Sequence, residues 1–326
     1  MKIIPSGKGV WIWKAAQCEK GNWNAIVSKC KAAGIKWIAA KSGDNDRYPG
    51  WTSAHLKNVI QLCHDNGILF GTWNYSLPIT CPQQVSQIKS LFDDGIDFAV
   101  LDAEIEWQTF PNANVQAESF MQSLRAAVGD VFIAHSPFAI PNYHASFPYV
   151  GFGKYVDAVM IQSYWTEFNW PVQQVISQAD ASWAAFNKAH PEAAKPVWPI
   201  GVTYGQGYPG VKGPLTPDSI KTFINHYGDI PISFYSYDAA FPMFWDVMNA
   251  SNASNMAPTP PQQSLNFPAP PEPVAIPPAV NDVQAPVQEP PVQEPASMAA
   301  VQQNPQGILN IIMFWIIKLF KQLFNK

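Results

Sequence analysis

The sequence predicts an α/β chain that begins with a TIM (β/α)8 barrel and continues into a disordered proline-rich linker and a C-terminal amphipathic helix. Residues 1–250 alternate eight short apolar runs with longer amphipathic stretches. Composition changes sharply after them, because 14 of the 31 prolines lie in residues 251–306 whereas 38 of the 43 aromatic residues precede that segment. A segment of 250 residues is the ordinary size of one such barrel and buries a large core.

The eight apolar runs are the predicted strands, and most of the stretches between them are predicted helices. The predicted strands span residues 9–13, 37–41, 68–75, 98–102, 131–136, 158–163, 197–202 and 232–237. The predicted helices span residues 23–33, 54–66, 83–93, 115–127, 172–189 and 217–227. Strands that alternate with helices form a parallel sheet, and eight of them close into a barrel.

Three segments of similar pattern mark where helices end and strands begin: AAGIKWIAA, HDNGILFG and FDDGIDFAV. In each, one glycine separates an amphipathic stretch from an apolar run. Glycine is the usual residue just past a helix C-terminus, where the backbone turns left-handed. We therefore expect Gly34, Gly67 and Gly95 to end helices and to lead into buried strands.

A doubly wound sheet is the alternative architecture for alternating strands and helices. That fold expects a glycine-rich phosphate-binding loop after the first strand. The segment that follows the first predicted strand here is WKAAQCEKG, which contains no such loop. Its absence favours the barrel.

The linker is predicted from proline content and charge. Residues 251–306 contain no Lys or Arg, and the pentapeptide PVQEP occurs twice in tandem over residues 286–295. Proline fixes φ and removes a backbone donor, so a packed element is not expected there. The segment is typical of a semi-extended spacer.

The tail from Gly307 to Lys326 is predicted to be an amphipathic anchor. Its apolar run is much shorter than the roughly 20 residues that a membrane-spanning helix needs. On a helical wheel one face carries Leu309, Ile312, Met313, Ile316, Leu319, Phe320, Leu323 and Phe324, and the other carries Asn310, Lys318, Lys321, Gln322 and Asn325. Such a helix lies on a membrane surface or docks in the groove of a partner, for example a virion protein. Trp315 and the lysines favour a membrane surface. A third possibility is that the helix packs back onto the barrel.

Charge and cysteine spacing argue against several classes of partner. The formal net charge is −4, and no basic stripe is present to neutralise phosphates, so nucleic acid is not an expected partner. The four cysteines have no CxxC spacing and no clustered histidines beside them, so no metal or other cofactor is predicted. No signal peptide is recognisable in MKIIPSGKGV, and we expect synthesis in the cytoplasm with reduced, structural thiols.

The strongest candidate for chemistry is a carboxylate pair at the end of the fourth predicted strand, FAVLDAEIEW. Asp102 and Glu104 are two residues apart, so on a strand their side chains point the same way, into the barrel mouth where barrel active sites lie. Two neighbouring carboxyl groups separate in pKa, and one stays protonated near neutral pH. Acid-assisted cleavage of a glycosidic bond requires such a pair. A solvated or salt-bridged acid cluster is the structural alternative.

Aromatic, amide and hydroxyl side chains recur at the other predicted strand ends. Aromatic faces stack on sugar C–H groups, and polar tips orient hydroxyls and acetamides. For any single aromatic residue, packing in the core is the alternative to binding a sugar. For the histidine, the alternative is a structural role in which its ring is hydrogen-bonded. The candidate substrate-binding residues are Trp13, Asp44, Trp73, His135, Gln162, Tyr164, Trp165, Tyr204 and Tyr235.

The fourth strand resembles the DxE strand of TIM-barrel glycoside hydrolases, namely lysozyme family 25 and chitinase family 18. Together, GVWIWKAAQCEKG, IKWIAAKSGDND, LDAEIEW, HASFPYVGF and VMIQSYW resemble a glycoside-hydrolase-like barrel domain of bacterial and phage cell-wall proteins, over residues 7–246. The resemblance implies that Glu104 is the general acid, that Asp102 orients the substrate acetamide and that Tyr164 contacts it. Trp11 stands where family 25 has an aspartate, and Ala99 to Leu101 replace the spacing that the full chitinase pattern DxxDxDxE requires.

Two functions follow as hypotheses. The first is a glycosidase that cleaves peptidoglycan or a related N-acetylated glycan and is tethered to a membrane or virion surface by its C-terminal helix. The second is a catalytically inactive glycan-binding or structural head of a phage, virion or cell-envelope protein. The missing acid of the first strand favours the second hypothesis, and the retained carboxylate pair favours the first.

Overall fold

The predicted barrel is confirmed. The computed structural model describes residues 2–44, 47–228 and 230–256, and in this part of the chain eight parallel strands pair in sequence order and close, β8 beside β1. The strands are β1 (Lys8–Ile12), β2 (Ile35–Gly43), β3 (Leu69–Ser76), β4 (Phe98–Ala103), β5 (Phe132–Ser136), β6 (Ala158–Gln162), β7 (Val197–Val202) and β8 (Ile232–Tyr235).

Helices surround the barrel, and most of them follow a strand. They are α1 (Trp23–Ala32), α2 (Ser53–Asp65), α3 (Cys81–Asp93), α4 (Ile105–Gln108), α5 (Ala113–Val128), α6 (Tyr149–Gly153), α7 (Trp165–Phe168), α8 (Val172–Ala189), α9 (Pro217–Tyr227) and α10 (Pro242–Met256). Single 3-10 turns occupy Ala15–Gln17, Glu19–Gly21, Pro78–Thr80, Pro141–His144 and Tyr237–Ala239.

Local sequence signals explain how the long helices begin and end. The side chains of Asn22, Thr52 and Thr216 accept hydrogen bonds from backbone amides at the starts of α1, α2 and α9. The expected glycine turns are present, since Gly34, Gly67 and Gly95 all have positive φ, 71°, 69° and 104°. After two of these glycines, the next amide bonds back to a carbonyl in the last helical turn, as a Schellman motif requires.

The core has two layers separated by the sheet. Inside the barrel, mostly large residues from alternate strand positions pack together: Trp11, Trp37, Ala39, Trp73, Phe98, Val100, Phe132, Ala134, Ala158, Met160, Trp198 and Ile200. Outside it, the opposite strand faces pack against the helices. A Cβ at Gly9 would lie 2.1 Å from the Trp37 ring, so glycine there makes room for that indole.

Helix α10 was not predicted, and it changes one boundary. Its apolar residues cluster in its first half and Asn and Ser follow, so no apolar stripe at helical spacing runs along its length. The helix runs to Met256, so the first six residues assigned to the linker are helical. The rest of the predicted linker and the whole predicted anchor from Gly307 to Lys326 lie outside the described residues. Among the helices that are described, none is long and apolar enough to cross a membrane.

Candidate active site

A small pocket opens at the carboxyl ends of the strands, where barrel enzymes carry out their chemistry. Its volume is about 190 Å³. The lining side chains come from β1, β4, β5, β6 and β8 and from the segments after β4, β6 and β7: Trp11, Asp102, Glu104, Ser136, Gln162, Tyr164, Glu167, Tyr204 and Tyr235. Six of the predicted site residues are therefore brought together here.

Asp102 and Glu104 lie side by side in this pocket. Phe98 and Val100 on β4 point into the barrel, and Asp102 continues that inward-facing set. Glu104 follows the strand with an extended backbone, φ −130° and ψ −145°, which preserves the alternation. The side-chain amide of Gln162 on β6 donates to Asp102 Oδ1 at 3.1 Å and to Glu104 Oε1 at 3.3 Å. One NH₂ group thus holds both carboxyl groups within reach of a single substrate.

Tyr75 approaches the pair from the neighbouring strand β3. Its hydroxyl donates to Glu106 Oε2 at 2.6 Å and lies 3.4 Å from Glu104 Oε2. Burial, followed by the nearby carboxylates of Glu104, Glu106 and Asp102, raises the pKa of Tyr75. Tyr75 is consequently a neutral phenol that keeps its proton and acts as a donor.

The opposite wall consists of tyrosines. The rings of Tyr164 and Tyr235 stack with centroids 5.7 Å apart, and Tyr204 donates to Glu167 Oε1 at 2.5 Å. Burial raises the pKa of all three phenols, with neighbouring tyrosines and carboxylates adding to the effect. The carboxylates of Asp102 and Glu167 are among the groups that raise the pKa of Tyr164.

Three predicted residues lie next to the pocket rather than in its lining. Trp73 is buried beside it, with its ring 5.7 Å from that of Trp11 and its indole N–H bonded to a backbone carbonyl of β1. Trp13 is partly buried just after β1. Asp44 pairs with Lys41 at 2.7 Å, and the Lys41 ammonium lies 5.0 Å from the centre of the Trp73 ring.

His135 and Trp165 are not in the pocket, contrary to the prediction. On β5, Ala134 and Ser136 face inward, so His135 points outward into the helix layer. There its ring stacks 5.2 Å from Phe152, and burial lowers its pKa to about 3. Trp165 starts α7 and packs 5.3 Å from Phe223 of α9. The strand alternation at Ala134 was available in the sequence and would have excluded His135.

The structure also brings Tyr75, Glu106 and Glu167 to the site, and these residues are not among the predicted ones. Tyr75 is two positions beyond the predicted Trp73, and alternation along β3 would have identified it. Glu106 continues the DxE pattern by one further step. Glu167 lies on a helix of only four residues after β6, and no local pattern in the sequence indicated that it faces the pocket.

No protein-family profile matches the chain, and a search of curated proteins returns no match. Solved structures do match. The catalytic domain of the hyperthermophilic chitinase from Pyrococcus furiosus is 10% identical, with 79% of this chain and 98% of that chain covered and a TM-score of 0.56. The spore cortex-lytic enzyme SleL from Bacillus cereus is 10% identical over 74% and 73% of the two chains, with a TM-score of 0.53. The chain has the fold of these enzymes.

A third structure with this fold is the glycoside hydrolase domain of PgaB from Bordetella bronchiseptica. It is 12% identical, with 75% of this chain and 99% of that chain covered and a TM-score of 0.51. The expected resemblance to glycoside-hydrolase barrels is confirmed at the level of fold. Sequence identities this low establish the fold alone, so any activity must be inferred from the residues of the pocket.

Proposed function

We propose that this glycoside-hydrolase-like barrel is a glycosidase that cleaves peptidoglycan or a related N-acetylated glycan. One observation carries the proposal: the amide of Gln162 holds Asp102 and Glu104 together in a tyrosine-lined pocket at the catalytic end of the barrel. A spore cortex-lytic enzyme and a chitinase share the fold, which supports this class of substrate.

In the proposed reaction Glu104 is the general acid. As the bond between the anomeric carbon and the leaving oxygen breaks, Glu104 gives its proton to that oxygen. The carbonyl oxygen of the substrate acetamide forms the new bond to the anomeric carbon, and Asp102 accepts a hydrogen bond from the acetamide N–H. Water then attacks the anomeric carbon, Glu104 takes up the proton of that water, and the acetamide leaves. Two displacements at one carbon retain its configuration.

The size and lining of the pocket suit one amino sugar. Its volume of about 190 Å³ is below the roughly 300–1,000 Å³ of pockets that enclose drug-sized ligands. Within the described residues, the hydroxyls of Tyr164 and Tyr235 make no hydrogen bond, so both are available to an acetamide or a sugar hydroxyl. The aromatic faces supply stacking surface for the ring.

The test is hydrolysis of purified peptidoglycan and of chitin oligosaccharides by the wild-type chain and by Glu104→Gln. We expect the substitution to reduce the release of reducing sugar by about a hundredfold or more, because the acid is lost while the shape is kept. Glu118→Gln is the matched control, since Glu118 lies in the helix layer and pairs with Lys154 at 2.9 Å. Equal release by wild type and Glu104→Gln would remove Glu104 from the mechanism.

A glycan-binding head without catalysis is the second candidate. The observation that favours it is Trp11, which lines the pocket where lysozymes of family 25 have an acid. Its indole N–H donates to Ser233 at 3.0 Å, so an indole and not a carboxylate occupies this side of the site. This candidate predicts saturable glycan binding and no bond cleavage at any pH.

We further propose, from sequence alone, that residues 307–326 attach the barrel to a membrane surface or a virion protein. Support for this comes from the amphipathic pattern and the proline-rich spacer before it. A phage or cell-envelope setting is consistent with both proposals.

A further inference from the structure

Tyr75 and Glu106 form a hydrogen-bonded pair beside Glu104, and neither residue has a part in the proposed reaction. Tyr75 ends the inward-facing set of β3, directly opposite Asp102 in the β3–β4 register. Glu106 lies in the short helix α4, two residues beyond Glu104. The Tyr75 hydroxyl therefore faces two glutamates at once.

The two distances decide where the single phenolic hydrogen goes. The 2.6 Å separation from Glu106 is that of a strong O–H···O⁻ bond, whereas the 3.4 Å separation from Glu104 exceeds the ordinary 2.5–3.0 Å range. In the resting protein the hydrogen bond is to Glu106. A rotation about the phenol C–O bond redirects the same hydrogen towards Glu104, without any change in the backbone.

The proton on Glu104 responds to both neighbours in opposite ways. A negative charge on Glu106 disfavours ionisation of Glu104, whereas a hydrogen bond from Tyr75 favours it. A general acid needs its proton before the reaction and stabilisation of its anion afterwards. The charge of Glu106 therefore helps Glu104 to keep its proton before the reaction, and the Tyr75 hydroxyl stabilises the Glu104 carboxylate after the proton has left.

We propose that Tyr75 and Glu106 are positioning residues that control the proton of Glu104: the Tyr75 hydroxyl stays on Glu106 while Glu104 is protonated, and turns to Glu104 as that proton leaves. The inference rests on the proposed function. Other charged and titratable groups lie around Glu104. Those that line the same pocket are Asp102 (β4), Tyr164 and Glu167 (after β6), Tyr204 (after β7) and Tyr235 (β8). Beyond Tyr75 and Glu106, the Lys41 ammonium on β2 lies 6.0 Å from the centre of the Tyr75 ring and pairs with Asp44.

The direct test is titration of the Glu104 carboxyl carbon by NMR in protein labelled with ¹³C-glutamate, with the signal assigned by its loss in Glu104→Gln. Glu106→Gln is expected to lower the pKa of Glu104 by about one unit or more, because a like charge is removed and the neutral amide at residue 106 is a weaker acceptor for the Tyr75 hydroxyl. Tyr75→Phe is expected to raise that pKa, because the anion loses its donor. The two variants thus shift the titration in opposite directions.

A second Tyr–Glu pair in the chain provides the control. The Tyr155 hydroxyl donates to Glu118 at 3.2 Å in the helix layer, so Tyr155→Phe and Glu118→Gln should leave the Glu104 titration unchanged. In turnover assays the basic limb of the pH profile should move with the titration, and Tyr75→Phe should lower kcat about tenfold or more with KM retained.

Shifts in the same direction, or no shift in either variant, would overturn the inference. A wild-type chain that cleaves no glycan would refute the proposed function instead, and the NMR titration would still decide whether Tyr75 and Glu106 control the Glu104 proton.

Discussion

His135→Phe should make the protein less sensitive to acid. The wild-type ring is 1% exposed, both of its nitrogens lack a partner among the described residues, and it stacks on Phe147 and Phe152. Burial lowers its pKa from 6.5 to about 3. Between about pH 6.5 and pH 3, His135 therefore binds a proton in the unfolded chain but not in the folded chain. The folded state consequently loses stability as the pH falls through this range.

The magnitude follows from the two pKa values. One pKa unit corresponds to about 1.4 kcal/mol, so at pH 4.5 the wild type has lost about 3 kcal/mol of unfolding free energy through His135 alone. Urea unfolding at pH 7.5 and pH 4.5 gives the unfolding free energy of wild type and of His135→Phe at both pH values. The fall in unfolding free energy between the two pH values should be smaller in the variant by this amount. Any change in packing should affect the variant equally at both pH values.

Phe152→Leu is the control for packing, because it disturbs the same stack without a titratable group. It should lower the unfolding free energy by a similar amount at both pH values and retain the acid sensitivity of wild type. Parallel pH dependence of wild type and His135→Phe would refute a buried, neutral His135.

Three further changes test the rest of the account. Gln162→Leu removes the amide that bonds both carboxylates, so kcat/KM for peptidoglycan should fall about tenfold or more while the thermal midpoint changes little; a large fall in that midpoint would show a structural role instead. Tyr164→Phe should weaken binding of N-acetylated oligosaccharides in calorimetry about tenfold, and unchanged affinity would remove its hydroxyl from the site. Deletion of residues 307–326 should abolish co-sedimentation with anionic vesicles and leave glycan cleavage intact; retained co-sedimentation would refute a membrane role for this segment.

The barrel was predictable because its signals are local. Alternation of apolar runs with amphipathic stretches and glycines at helix ends fix where elements begin, and β7, α8 and α9 have the bounds that the sequence predicted. Helix α10 has no such periodic face. Its place depends on packing against the barrel, which a single sequence does not display.

The candidate site was predictable only where it lies on strands. Asp102, Glu104 and Gln162 follow the inward alternation of β4 and β6, and the structure places them together. The prediction for His135 was wrong because Ala134, its neighbour on the strand, faces into the barrel, so the alternation of β5 turns His135 outward. Glu167 comes from a four-residue helix whose orientation is set by contacts such as the bond from Tyr204, so its position depends on the folded chain.

The most direct test of the account is the fate of the anomeric centre. Wild type and Glu104→Gln are each incubated separately with a soluble N-acetylated oligosaccharide. Proton NMR then records the anomeric configuration of the first reducing ends that are released. A glycosidase of the proposed kind yields the retained anomer first in wild type and almost no product in Glu104→Gln. An inverted first product would contradict participation of the acetamide. Binding without any product from wild type would identify the barrel as a glycan-binding head.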